Sequence, residues 1–177
     1  MQNPDAIVIG AGIVGASSAL SLTNAGLKVL VIDRGAVSSG TTGAGEGNIL
    51  VSDKDPGPEL TLALRSRDLW FEMQEDVGDS FELEAKGGVV VARHDDGPLL
   101  KLAAEQSEHG VVTQKLDHTS LHELEPYLHP EFHSGVLYSQ DAQCQPMLAA
   151  AHVIRTVIKR GGAFISQARV TRIIVEN

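Results

Sequence analysis

One cysteine in 177 residues, Cys144, leaves no partner for an internal disulfide and fits a reducing compartment. Basic residues never cluster beyond two in a row, and the net charge is −9 with a pI near 5.1. That balance excludes a surface for nucleic acid or for an anionic membrane. It speaks for solubility and carries no functional weight. Long apolar runs are missing too. The nearest, residues 6–20, has no basic region before it, and glycines and serines break it short of the ~20 residues a membrane span needs. A signal peptide is therefore rejected, no membrane span is expected, and the expected setting is cytoplasmic. There is no internal repeat and no low-complexity segment. The length suits one ordinary core, or one domain and part of another. Hydrophobic and charged fractions of 42% and 21% are those of a globular chain.

What is present begins at Ile7-Val8-Ile9-Gly10-Ala11-Gly12-Ile13-Val14-Gly15, a buried-strand pattern running into a glycine-spaced turn. A second apolar run, Leu27-Lys28-Val29-Leu30-Val31-Ile32, ends on Asp33. Strand, G-x-G-x-x-G, helix, strand and acid in that order form a dinucleotide-binding fingerprint. Gly10 allows a sharp turn out of the strand. Gly12, without a Cβ, allows a pyrophosphate to approach the backbone. Gly15 allows the helix to pack close to the sheet. The helix, expected from Ile13 to about Asn24, aims its unpaired N–H groups and positive dipole end at the phosphates. Asp33 is placed to accept hydrogen bonds from an adenosine ribose.

After Asp33 a nicotinamide-binding unit would continue into a helix and a third strand within about 30 residues. Instead the chain enters Ser38-Ser39-Gly40-Thr41-Thr42-Gly43-Ala44-Gly45-Glu46-Gly47-Asn48, in which only Glu46 is not Gly, Ala, Ser, Thr or Asn. No stable helix or strand is expected there. A flexible loop is one reading; the preferred one is a second cradle for a large cofactor, because small residues permit close backbone approach and Thr hydroxyls reach phosphate or ring atoms. Beyond it, periodicity gives a helix from Pro58 to near Gly78, with Trp70 and Phe71 read as core packing. A strand over Phe81–Glu84 follows, then one over Val89–Ala92. A helix over Pro98–His109, a strand over Val111–Leu116 and a short helix over Ser120–Leu124 come next. Then come a strand over Gly135–Tyr138 and a long helix from Pro146 to Arg160. The final strands are Ala163–Ile165 and Arg169–Val175. The late helix and strand would supply the third parallel strand that the opening unit lacks.

These residues resemble the amino-terminal part of the glycine oxidase, sarcosine oxidase and D-amino-acid oxidase family of FAD-dependent enzymes. Residues 9–15, Val31-Ile32-Asp33-Arg34 and Thr41 to Leu50 carry the likeness most specifically. Gly87–Ala92, Leu121–Pro126, Asp141–Pro146, Arg160–Phe164 and Ala168–Val170 are consistent with it. The resemblance implies an α/β fold: an FAD-binding Rossmann-like parallel sheet of the glutathione-reductase-2 type, interrupted by an α+β insertion and truncated. The FAD-binding domain would comprise residues 1–50 and 146–177, and residues 51–145 would be part of the substrate-binding domain. Family contacts to substrate would lie beyond position 177, so the chain is expected to be an amino-terminal portion that does not turn over by itself.

The same resemblance assigns cofactor roles. Within Gly10, Ala11, Gly12, Ile13, Val14 and Gly15, the amides of Ile13 and Val14 would meet the FAD pyrophosphate. Asp33 would hold the ribose, where many relatives have Glu. Arg34 would contact the adenine side or pair locally, since Asp33 would repel the 2′-phosphate of NADP. Thr41 and Thr42 would touch phosphate and ribitol. Gly45, Glu46, Gly47 and Asn48 would run beside the flavin ring, with Glu46 standing where small residues are usual. Val170 would pair with adenine through its backbone or stand as a buried strand valine. No catalytic residue is assigned.

Other constellations are weaker. His118, His122, His129 and His133 fall close together with Glu123, Glu125 and Glu131, and a metal site is conceivable from the i, i+4 spacing of His118 and His122. Pro126 and Pro130 break any shared helix, no cysteine joins them, and a polar surface loop is the preferred reading. Cys144 has no C-x-x-C partner and no adjacent base, so a structural thiol is preferred over a redox or flavin-linking one. Three functions remain. The leading one is FAD-dependent oxidation of a small amine or amino acid, with this chain supplying the cofactor-binding half. The others are an NAD(P)-dependent Rossmann dehydrogenase and a non-catalytic dinucleotide-binding subunit completed by another chain. Either a homo- or a hetero-oligomer is compatible.

Overall fold

The computed structural model describes residues 3–78 and 81–175. The first four elements are β1 (Ala6–Ile9), α1 (Ile13–Asn24), β2 (Val29–Ile32) and α2 (Thr41–Ala44). There follow β3 (Asn48–Ile49), α3 (Pro58–Val77), β4 (Gly88–Val91), α4 (Gly97–Ser107) and β5 (Thr113–Leu116). The last are α5 (His118–Leu124), β6 (Gly135–Tyr138), β7 (Ala142–Gln143), α6 (Pro146–Lys159) and β8 (Ala163–Ile165). Among the described residues no helix is long and apolar enough to cross a membrane. The chain divides into two compact units, one of residues 1–47, 74–82 and 144–177, the other of residues 48–73 and 83–143.

The first unit is a parallel sheet in the order β1-β2-β8. Val29 and Val31 at its centre are wholly buried. α1 and α6 pack on each other through small and β-branched residues, among them Ala16, Ala19, Ala149, Ala150, Val153 and Val157, all with no exposed surface. α6 begins with Pro146 in its first turn, and the Gln145 side chain accepts the Met147 N–H at 3.2 Å, so two orphan donors of that end are dealt with. Its last turn opens into Gly161, at φ +94°, which sends the chain back into β8 as the third parallel strand. Arg160 closes the unit's edge with a bidentate pair to Asp76 at 2.8 and 2.9 Å, which holds the Asp76 carboxyl below the usual carboxylate range.

The second unit is antiparallel, with the order β4-β6-β5 and a small β3-β7 pair. Its core is Val51, Leu60, Ala103, Val111, Val136 and Tyr138. Two buried polar side chains tie the segment after β3 into it. Asp141, 2% exposed, accepts the N–H groups of Val51 and Ser52 at 2.8 and 3.2 Å. Gln106, fully buried, donates to the carbonyls of Val51, Ser52 and Lys54 and accepts the Tyr138 hydroxyl at 2.9 Å. Burial and then the Asp141 charge push the Tyr138 phenol up. Each of these groups would cost a few kcal/mol if buried without a partner, about 1–3 apiece.

Four local expectations are corrected. The glycine-rich loop contains one helical turn, α2, because Gly43 tucks against the Ser38 carbonyl, where a Cβ would stand 2.2 Å away. Phe81–Glu84 is not a strand. Glu82 has φ +55°, which breaks the extended run, and only Glu84 bridges, to Gln143. Arg169–Val175 is not a strand either, since no chain segment among the described residues hydrogen-bonds beside it, and Ile173, Ile174 and Val175 are exposed. Glu176 and Asn177 lie outside the described residues. Trp70 and Phe71 are half-buried rather than core, and Phe71 carries the Arg67 guanidinium 4.7 Å from its ring centroid.

Candidate functional site

The turn between β1 and α1 is built from backbone that only glycine suits. Gly10 has φ +111°. A Cβ on Gly15 would stand 2.1 Å from the Gly10 carbonyl oxygen and 3.4 Å from Val8 Cγ1, so the helix approaches the strand only because that atom is absent. A Cβ on Gly12 would stand 2.9 Å from Thr42 Oγ1. Gly12 is the N-cap of α1 and has no side chain to satisfy the first amides. That cap comes from elsewhere in the chain: Thr42 Oγ1 accepts the Ile13 N–H at 3.0 Å. Thr42, from α2, thus lies over the first turn of α1, with Val14 79% exposed beside it. Thr41 and Gly45, at either end of α2, are exposed.

Asp33 is the second anchor. Its Oδ1 accepts the Gly35 N–H at 2.7 Å and its Oδ2 accepts the Ala11 N–H at 2.6 Å. The Gly35 amide first, then the Ala11 amide, and less so the Arg34 charge, lower its pKa against the opposing effect of burial. The carboxylate is therefore ionised at neutral pH and fixed in orientation. Two acceptor oxygens offer about four lone-pair sites, so two remain for hydroxyl donors. Arg34 is exposed. Ala11 is wholly buried, and its carbonyl accepts the Ser38 N–H at 3.1 Å, which closes the glycine-rich segment back onto the turn.

The end of that segment is equally constrained. Gly47 has φ +79°, and a Cβ there would stand 1.9 Å from the Cys144 carbonyl. Its own carbonyl accepts the Cys144 N–H at 2.9 Å. Glu46 is exposed. Asn48, next in the chain, opens the second unit and pairs with Gln143. Val170 is 38% exposed and in no strand, so it is not a buried strand valine.

The structure therefore brings Gly10 to Gly15, Asp33 and Thr42 into one cradle in the first unit and places Val170 outside any sheet. It also adds residues that spacing alone did not single out: Gly35, Ser38 and the Ala11 amide. The signal for Gly35 was present, because Asp-x-Gly is the pattern in which a carboxylate accepts the amide two residues on. Ser38, 3% exposed at φ +61°, had none. The histidines divide. His118 stacks edge-on to His122 at 4.5 Å and lies 5.3 Å from His133. His122 Nε2 donates to the Phe132 carbonyl at 3.0 Å, and His129 sits by Glu131. No group of three His, Cys, Asp or Glu among the described residues is arranged to hold a metal ion.

The family model described as FAD dependent oxidoreductase matches residues 5–177. Glycine oxidase of Bacillus licheniformis is 36% identical over 107 residues, 59% of this chain and 27% of that protein. The solved glycine oxidase of Bacillus cereus superposes with a TM-score of 0.90 at 24% identity, over 99% of this chain and 49% of that one. The L-alpha-glycerophosphate oxidase of Mycoplasma pneumoniae, solved with FAD bound, gives 0.86 at 20% identity, over 97% of this chain and 46% of that one. At such identities the superpositions establish the fold alone. The chain spans about half the length of the solved structures it matches.

Proposed function

Given that this chain belongs to the FAD dependent oxidoreductase family, we propose that its first unit holds FAD for the oxidation of a small amine or amino acid. The observation that carries the reading is the cradle at Gly12: a Cβ there would strike Thr42 Oγ1, and that close approach of bare backbone is what a pyrophosphate needs. Such residues fit the family's cofactor. Ile13 and Val14 would offer amides to the pyrophosphate at the positive end of α1, and Thr42, whose Oγ1 accepts the Ile13 N–H, would have its hydroxyl proton to give to a phosphate oxygen. Thr41, with Thr42, would touch phosphate and ribitol. Asp33, already ionised and held by Ala11 and Gly35, accepts the ribose hydroxyls with its remaining lone pairs. Arg34 is assigned to the adenine side or to a local pair, and Val170 is assigned the adenine contact. Gly45, Glu46, Gly47 and Asn48 are assigned the segment beside the ring. Residues 51–145 are assigned to substrate recognition.

When bound, FAD supplies the acceptor for a hydride taken from the carbon beside an amine nitrogen. The protein's part in this chain is to bind and orient. The amine or amino-acid class rests on the likeness to glycine oxidase over 107 residues. The test is the visible spectrum of the purified chain before and after adding FAD, followed through gel filtration. Flavin bands that travel with the protein, and that weaken in Gly12→Val, are expected. A chain that ignores FAD and binds NADH would overturn the reading.

A further inference from the structure

Ser38 carries strained backbone inside the first unit. Among the described residues, four that are not glycine have φ in the left-handed region: Asn3, Ser38, Glu82 and Gln167. Asn3, Glu82 and Gln167 are exposed. Ser38, at φ +61°, is 3% exposed. In that region a Cβ crowds the following carbonyl, so residues other than glycine, asparagine and aspartate seldom occupy it. Such a conformation persists only where its surroundings hold it, and buried cases therefore point to a role.

Both peptide groups of Ser38 are engaged. On the amino side, its N–H donates to the Ala11 carbonyl at 3.1 Å, inside the glycine turn between β1 and α1. The Ala11 amide in turn donates to Asp33 Oδ2 at 2.6 Å. On the carboxyl side, the Ser38 carbonyl is the wall against which α2 is wound, since a Cβ on Gly43 would stand 2.2 Å from it. α2 carries Thr42, whose Oγ1 accepts the Ile13 N–H at 3.0 Å. The rotation between those two rigid peptide planes is the φ and ψ of Ser38 alone. At an ordinary negative φ, either the carbonyl would swing away from Gly43 or the N–H away from Ala11. The side chain adds little: its hydroxyl donates to the Met147 carbonyl at 3.4 Å, beyond the ordinary length of such a bond. What position 38 supplies is backbone.

We infer that Ser38 is a positioning residue for the cradle: its left-handed backbone couples the β1–α1 turn to α2, seats Thr42 over the first turn of α1, and thereby sets how fast a bound dinucleotide leaves. The last step rests on the functional reading above. A ligand enclosed at the first turn of α1 leaves when α2 lifts, so release follows the opening of the Ser38 turn.

The test compares three substitutions in the whole chain. It reads amide hydrogen exchange at Ile13 and Ser38, and the rate at which FAD is lost on dilution. Ser38→Thr keeps the hydroxyl and adds the β-branching that the left-handed region resists. Protection at both amides should fall about tenfold and flavin loss should quicken by the same factor, at unchanged far-ultraviolet circular dichroism. Ser38→Gly drops the hydroxyl and satisfies φ, and both readings should stay within about threefold of the parent. Ser38→Ala, no larger than serine, should fall between them. The reverse order, with threonine harmless and glycine damaging, would show that the hydroxyl holds the segment and would overturn the inference. So would three variants that match the parent. Protection that falls while flavin loss stays constant would overturn the coupling to release. Should the threonine methyl itself prevent folding, alanine and glycine decide, and an alanine chain as well protected as the glycine one overturns the inference. Exchange needs no flavin. A parent chain that never takes up FAD fails the functional reading alone, while the amide order still judges Ser38. A coloured chain without that order fails this inference alone.

Discussion

Each unit holds itself together by its own means, and the two means are opposite. The first depends on atoms that are absent: the missing Cβ of Gly15, Gly43 and Gly47 lets backbone approach backbone, at would-be contacts from 1.9 to 2.2 Å, and that of Gly12 lets the Thr42 hydroxyl in at 2.9 Å. The second depends on polar atoms that are buried and satisfied, with Gln106 and Asp141 pinning residues 51–54 by five hydrogen bonds. Close backbone approach leaves bare backbone at the first turn of α1. A satisfied buried network makes a rigid scaffold. The contrast teaches where binding can be sought in this chain, and it can be broken from either side.

The largest effect is expected from Gly15→Ala. The new methyl meets the Gly10 carbonyl at 2.1 Å, and neither partner is a flexible side chain. A cost of about 3 kcal/mol in denaturant unfolding is expected, with loss of flavin retention. Hydrogen exchange should accelerate in β1 and α1 while β4, β5 and β6 keep their protection. Uniform acceleration would mean that the two units do not open separately.

Asp141→Ala attacks the other unit. It leaves the Val51 and Ser52 amides buried without an acceptor, at about 2 kcal/mol for the pair. Exchange should now rise at residues 51–54 and in β6, with β1 and α1 unchanged. Asp141→Asn keeps one acceptor oxygen and should recover more than half of the loss. An Asn variant as weak as the Ala one would show that the charge, and not the hydrogen bonds, holds the segment.

The same contrast decides what could be read from the sequence. β1, α1 and β2 were legible because their causes are local: continuous aliphatic runs, glycines at fixed spacing, and Asp33 at the strand end. The third parallel strand, Ala163–Ile165, was legible as well, since Gly161 and Gly162 mark the end of α6. The Gln106–Asp141 network was not legible, because its partners are 32 to 90 residues apart and no local pattern announces them. Arg169–Val175 misled for the converse reason. Its β-branched composition is that of a strand, yet a strand exists only beside a partner, and none lies there among the described residues. Within the site, the glycines told where the backbone comes close. That Asp33 spends two lone pairs on Ala11 and Gly35 before meeting any ligand became visible only in three dimensions.

Acid should tell the units apart more gently. Asp33 has a native pKa below the ordinary 3.8, set first by the Gly35 amide and then by the Ala11 amide. Its contribution to stability is therefore fully present above 3.8 and is lost as pH falls through the lower native value. Asp76, lowered by Arg160, acts in the same unit and with the same sign. Carboxyl resonances followed by NMR should show Asp33 titrating below a free aspartate, and the β1 turn should loosen before the β4-β6-β5 sheet. Asp33→Asn, which cannot ionise, should remove that order. An Asp33 that titrates normally would mean that the amides of Ala11 and Gly35 point elsewhere in solution.

The smallest effect at neutral pH is expected at Cys144, which sits in the first unit beside Gly47 and is 4% exposed. Burial pushes its thiol from 9.0 up to about 11. A rise of two units leaves about a hundredfold less thiolate at pH 8 than an ordinary cysteine has. A thiol reagent should therefore react at least that much more slowly with the native chain than with the chain in denaturant, and Cys144→Ala should leave flavin retention intact. The sign on stability follows from the same shift. Because the neutral form is the one buried, the contribution is whole below 9.0 and is lost as pH rises toward about 11. Alkali should thus weaken the first unit through Cys144 as acid does through Asp33. Fast labelling at pH 7 would instead show that the Gly47–Cys144 contact opens readily, and would make the segment at residues 45–48 a mobile edge of the cradle.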